Sequence, residues 1–211
     1  VSLLDCVERT RVEKQRPTKK GDKNMKVRNV CRVLAVVLGF TFAFSLYASA
    51  SYAATKGEIN TSVKAAMDRF KTQVKGSTEY LKAAKGVLVM PSITKAGVGV
   101  GGQYGQGALL VNGKTVGYYS LTAGSVGLQI GAEKYDMVIL FMTDEVLKKF
   151  RSTKGWEAGA DADITVLSES ADVTVDTLRS KHQVAGFVFD QKGLMGDVSV
   201  KGAKFSKIEP K

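Results

Sequence analysis

Few side chains in this sequence can do acid–base, nucleophilic or metal chemistry, and they are scattered. Asp161 and Asp163 stand two apart, separated by Ala162. On a strand that spacing puts both carboxylates on one face, where they can exchange protons, hold a cation or simply face water. His182 is the only histidine, and zinc would need further imidazole or thiolate ligands. Both cysteines, Cys6 and Cys31, fall near the start of the chain. No serine sits in a nucleophile elbow. No cofactor, metal or catalytic set is expected, and the chain reads as a non-enzyme. A hydrolase built on Asp161, Asp163 or His182 is the weaker reading.

Two glycine-bearing stretches imitate nucleotide sites. Gly97–Gly102 fits G-x-G-x-x-G, but a dinucleotide fingerprint needs a strand before it and a helix starting within it. Here the strand-like alternation runs on into Gln103 and Tyr104. Ala108–Thr115 resembles a phosphate loop with alanine for the first glycine. Its Asn112-Gly113 pair is a two-residue hairpin signal, and no helix follows to receive a phosphate.

The remaining candidates are basic. Lys64, Lys71, Lys75, Lys82 and Lys85, then Lys95, precede or edge the glycine-rich region. They are the candidate contacts for an anionic lipid surface. A helix with an apolar stripe and flanking lysines can lie on a membrane. It can equally pack its stripe inward and leave the lysines in water.

The elements that must carry these residues follow from periodicity. Ile59, Val63, Ala66, Met67 and Phe70 recur at helical spacing and predict a helix over Glu58–Lys75. Gly76-Ser77 breaks it, and Ser77 can cap a second short helix through Ala84. From Gly86 the period falls to two. Val87–Met90, Ala96–Tyr104, Ala108–Val111, Thr115–Leu121, Ser125–Ala132 and Tyr135–Met142 read as strands, with Pro91 ending the first. Thr143 caps a short helix through Phe150. Trp156–Leu167, Val184–Phe189, Gly193–Val200 and Ala203–Ile208 read as further strands, and Ser168–Gln183 is polar and unassigned. Twelve of the 22 glycines lie in Gly86–Gly131. Such density on strands marks tight curvature or close approach of another backbone or a ligand. The expected fold is α+β: N-terminal helices packed on a strongly curved, glycine-rich antiparallel sheet or barrel.

The first quarter of the chain reads differently. Residues 1–24 are charged and lack apolar periodicity, as a non-native or disordered N-terminal extension would. Met25–Ala53 has the three parts of a signal peptide: Lys26, Arg28 and Arg32, then the uncharged run Val33–Tyr47, then small residues at Ala48–Ala50 and Ser51–Ala53. Cys31 precedes the apolar run, so a lipoprotein is not expected. A domain over residues 54–211 follows, placed in the periplasm or outside the cell, and peripheral on the outer membrane if it binds there.

Discarding residues 1–54 removes 10 of the 31 basic and 4 of the 20 acidic residues. What remains has 21 basic against 16 acidic, a net of +5 rather than +11. That charge is too mild to indicate nucleic acid and suits an anionic lipid surface as well.

Eight motifs now stand in order: Lys85–Pro91, Lys95–Gly97, Gly101–Gly107, Tyr118–Ser120, Gly127–Gln129, Val138–Thr143, Gly155–Asp161 and Lys192–Met195. Together they resemble the SYLF domain, the lipid-binding or actin-binding domain of the yeast actin-patch proteins, over roughly Glu58 to Ile208. The resemblance implies a lipid-interacting domain, with the helix Glu58–Lys75 in the place of the lipid-binding helix and Lys64, Lys71 and Lys75 as headgroup contacts. It implies an anionic phospholipid or envelope component as partner. Actin is not expected in an exported compartment. A structural or protein-interaction module of the envelope, with no lipid ligand, is the alternative.

Overall fold

A computed structural model describes residues 54–193 and 199–211, without the side chains of residues 99 and 125–130. The extension and signal peptide read from residues 1–53 lie outside the described residues. Ala53–Lys211 forms one compact unit. Its elements are α1 (Lys56–Gln73), α2 (Ser77–Ala83), β1 (Gly86–Val111), β2 (Lys114–Phe141), α3 (Asp144–Ser152), β3 (Trp156–Glu157), β4 (Thr165–Ser168), α4 (Val175–Lys181), β5 (Val184–Gly193) and β6 (Lys204–Ile208). The fold is α+β, with helices leading into a curled sheet.

Helix α1 starts two residues earlier than its apolar period suggests. Thr55 and Glu58 form a capping box, each side chain holding the other's backbone N–H. Ile59, Val63, Ala66 and Phe70 are buried, so the apolar stripe of α1 is spent on the core. Each large side chain so buried contributes roughly 1.5–3 kcal/mol. Ser77 is the first residue of α2 rather than its cap; Gly76, at φ 77°, holds the left-handed cap position.

The main correction concerns strand number. The three strands expected before Asn112 are one 26-residue strand, β1, and the three after Gly113 are one 28-residue strand, β2. They pair antiparallel from Val111–Lys114 out to Gly86–Phe141. Pro91 does not end β1. It falls in a bulge between Met90 and Ile93, where Ser92 takes φ 49°. There β1 pairs with β2 alone, so its other edge can carry a proline. Strand β2 is the centre of the sheet: β5 pairs with Glu133–Phe141 and β6 with Tyr118–Thr122 on its other edge. The sheet is not wholly antiparallel, because β4 pairs with β5 in parallel. The strand expected over Trp156–Leu167 is split into β3 and β4, and the unassigned polar stretch contains α4. The strand expected over Gly193–Val200 lies partly outside the described residues.

Glycine lets β1 bend back over itself. A Cβ on Gly107 would stand 2.0 Å from the Val89 carbonyl oxygen, and one on Gly105 would stand 2.8 Å from Ile93 Cγ1. A Cβ on Gly97 would lie 2.4 Å from Gly101 Cα. The two halves of β1 therefore touch, and the bend lies between Gly97 and Gly101.

Alternate residues of the curled sheet feed two cores. Leu88, Met90, Met137 and Ile139 face one side with Phe141, Phe150, Trp156 and Phe205. Phe150 of α3 plugs that side, with ring centroids 4.7 Å from both Tyr119 and Phe141. Val87, Val89, Val138 and Leu140 face the other side, against Phe70 of α1 and Phe187 and Phe189 of β5. Arg69 fixes α1 over the kinked strands. Its Nε donates to Asp136 Oδ2 at 2.8 Å and stands 3.2 Å from Asp190 Oδ2. Asp136 is buried and also accepts from the Ser92 backbone N–H at 2.8 Å, so one carboxylate ties the bulge of β1 to β2.

Candidate functional site: two concavities at the hairpin turn

Asn112 and Gly113 turn the long hairpin with φ of 50° and 74°, a conformation these two residue types reach at low cost. Because β1 folds in half, this turn comes back beside the start of β1. A groove of 480 Å³ opens there between α1, α2 and the turn. Met67, Leu81, Val87 and Leu110 give it apolar walls, and Lys71, Lys82 and Lys85 stand at it.

On the other side of the turn lies a cleft of 810 Å³, also bordered by Lys82, Lys85 and Asn112. It adds Lys148 and Arg151 of α3, Arg179 of α4 and Lys207 of β6. Both volumes fall in the range of ligand pockets. Six cations thus surround the cleft, and among the described residues Asp144 is the only acidic one lining it. Asp144 pairs with Lys85 at 3.6 Å. Among the described residues the other five cations have no carboxylate within ion-pair distance. Tyr119 forms part of the wall; burial raises its phenol above the ordinary range, and Arg151 draws it partly back.

The six lysines singled out from sequence part company. Lys71, Lys82 and Lys85 meet at the groove. Lys64 lies exposed on the same stripe of α1, between Met67 and Asn60, whose Nδ2 donates to Tyr118 Oη at 3.1 Å. Lys75 lies beyond α1 and pairs with Asp172 at 3.4 Å, both side chains open to water. Such a pair contributes little. Lys95 is a correction: it is 3% exposed and sits across the ladder from Glu133, itself 1% exposed. The alternation of β1 turns Lys95 inward, so it is not part of the lysine surface. Burial raises the Glu133 carboxyl above the usual range, and Lys95 partly opposes that rise.

The hydrolase candidates make separate contacts. Asp161 accepts from the Glu157 backbone N–H at 2.8 Å and shapes the turn after β3, so it does not share a strand with Asp163. His182 caps the end of α4 and has Nδ1 2.7 Å from Thr165 Oγ1.

Sequence reasoning missed four of the six cleft cations. Lys148 and Arg151 stand three apart on one helix, a spacing that puts them on one face. Arg179 fell in the unassigned stretch, and Lys207 becomes relevant only through the pairing of β6 with β2.

No curated protein matches this sequence. Residues 122–209, from the middle of β2 through β6, match the family described as Ysc84, Las17-binding protein actin regulator. With the ordered motifs of the sequence, this match is consistent with a member of the SYLF domain family.

Proposed function

We propose that this chain is an exported, non-enzymatic domain that binds anionic lipid, or an anionic component of the cell envelope, in the periplasm or outside the cell. One observation carries the reading: Lys71, Lys82 and Lys85 ring an apolar groove at the turn of the long hairpin. A surface of that kind attracts anionic headgroups and offers apolar contact beside them. The apolar stripe of α1 is buried, so the contact uses the lysine side of α1 and the groove. Among the described residues no helix is long and apolar enough to cross a membrane; the proposed binding is peripheral. Export rests on the signal-like segment Met25–Ala53.

Co-sedimentation of residues 54–211 with neutral and with phosphatidylserine-containing vesicles tests this. Binding should require the anionic lipid and fall with salt. Reversing Lys71, Lys82 and Lys85 together should cut partitioning roughly a hundredfold or more, at about 1 kcal/mol for each lysine near the surface. Absence of binding to either vesicle would overturn the proposal.

A second reading has its own support. Val98, Val100 and Tyr104 are 75%, 70% and 52% exposed at or near the bend of β1. Solvent-facing valines grouped in this way suit a protein partner. Capture of an envelope protein by the wild type but not by Val98→Ser/Val100→Ser would favour that module.

A further inference from the structure

The groove and the cleft share Lys82, Ala84, Lys85 and Asn112. They are two halves of one concavity divided by the hairpin turn, and their chemistries differ. The groove has apolar walls from Met67, Leu81, Val87 and Leu110. The cleft gathers Lys148, Arg151, Arg179 and Lys207 around the shared lysines.

A flat bilayer surface does not need this arrangement. Surface adhesion is served by lysines on any exposed face. A concave pocket whose cations come from α2, α3, α4 and β6 instead converges on a compact, multiply charged group. Arginine favours planar, bidentate contact with phosphate oxygens. Two arginines and four lysines against one carboxylate can neutralise more than one negative charge, as a dianionic phosphate monoester requires. The adjoining apolar half can take hydrocarbon.

We infer that the concavity captures a single phosphorylated amphiphile, with its phosphate monoester head among Lys148, Arg151, Arg179 and Lys207 and an acyl chain along Met67, Leu81, Val87 and Leu110. The inference rests on the reading that the ligand is an anionic lipid, and it changes the mode from adhesion to stoichiometric binding. Lys82 and Lys85 stand at the junction between head and tail. The Asn112-Gly113 turn is the partition over which the molecule lies.

Residues 54–211 contain both cores and form one compact unit, so calorimetric titration of that unit tests the inference. The probes are short-chain phosphatidic acid below its micelle concentration, glycerol 3-phosphate as the head alone, and inorganic phosphate. One equivalent of phosphatidic acid should bind, more tightly than either soluble anion. Lys148→Glu/Arg151→Glu should weaken phosphatidic acid and glycerol 3-phosphate alike, by about tenfold or more. Met67→Glu should weaken phosphatidic acid and leave glycerol 3-phosphate within about twofold. Both variants alter exposed or half-exposed positions, and an unchanged circular-dichroism melt checks that they fold.

If all three probes bind equally, the cleft is a free-phosphate site and the amphiphile is wrong. If phosphatidic acid binds without defined stoichiometry, or its affinity ignores both variants, the inference fails. Vesicle binding separates that failure from the broader one. Salt-sensitive vesicle binding that ignores Lys148→Glu/Arg151→Glu leaves the surface reading standing and sinks this one. One-to-one capture without vesicle binding sinks the surface reading and upholds this one.

Discussion

The two ends of the folded hairpin are built from different materials. At the turn, Asn112 and Gly113 are surrounded by α1, α2, α3, α4 and β6, and the charged residues there face open concavities. At the bend, Gly97 and Gly101 nearly touch, and Val98 and Val100 stand in water. Half of β1 separates the two ends, roughly 40 Å along the strand at 3.3 Å per residue. Five elements from across the sequence supply the walls at the turn. The bend is made by one segment and its ladder partner. Chemistry that needs several charges from several directions can be assembled only at the first end. The second end has little but curvature and apolar surface to offer.

Substitutions can break or sharpen that contrast. The largest expected effect lies between the ends, where β1 touches itself. Gly107→Ala places a Cβ against the Val89 carbonyl and should cost about 3 kcal/mol or more in denaturant unfolding. Gly124→Ala, which meets nothing within 4 Å, should stay within about 0.5 kcal/mol. Equal effects would mean that the halves of β1 do not close.

Next is Arg69→Met. It leaves Asp136 buried beside a lost cation and should cost about 3 kcal/mol, the low end for a broken buried pair because Arg69 is partly exposed. A loss below about 1 kcal/mol would remove Arg69 as the anchor of α1.

A smaller effect is expected from Glu133. Its carboxyl is raised in the folded state, mainly by burial. The folded protein then holds that proton more tightly than the unfolded chain. Its contribution is fully present below the unfolded carboxylate value and is lost as pH rises through the folded one. Glu133→Gln should flatten that fall in a series of unfolding curves from acid to neutral pH. An unchanged slope would show that another group causes it.

The smallest effect on stability belongs to the bend. Val98→Ser/Val100→Ser should change unfolding by no more than about 0.5 kcal/mol and leave vesicle binding unaltered. Loss of vesicle binding in this variant would erase the distinction between the ends.

The features legible in the sequence were those set by neighbours. The stripe from Ile59 to Phe70 specified α1, Asn112-Gly113 specified the turn, and crowded glycines announced the self-contact of β1. The errors also had physical causes. Pro91 and the weak alternation near Gly97 looked like strand ends because a bulge and a bend interrupt the period without breaking the ladder. Alternation alone could not tell that Lys95 faces inward, since the register of a curled strand decides it. Helix α4 is seven residues long, too short for a periodic signal. The cleft was the least legible part: its cations come from α2, α3, α4 and β6, and only the pairing of β6 with the start of β2 brings Lys207 to Lys82.

The Asn112-Gly113 turn also bears on the order in which the chain folds. A hairpin closed by two residues can zip outward from its turn, each new pair adding little to the loop already closed. The partner of Tyr118 on the other edge is Ile208, near the far end of the domain, and that contact must wait for a long loop to close. Folding should therefore build the groove early and the cleft late. Pulse-labelled hydrogen exchange would show it as protection of Leu110 and Thr115 before Phe205 and Lys207. A partly folded chain would then offer apolar walls before it has its full ring of charge, and β6 would be the element whose arrival completes the site.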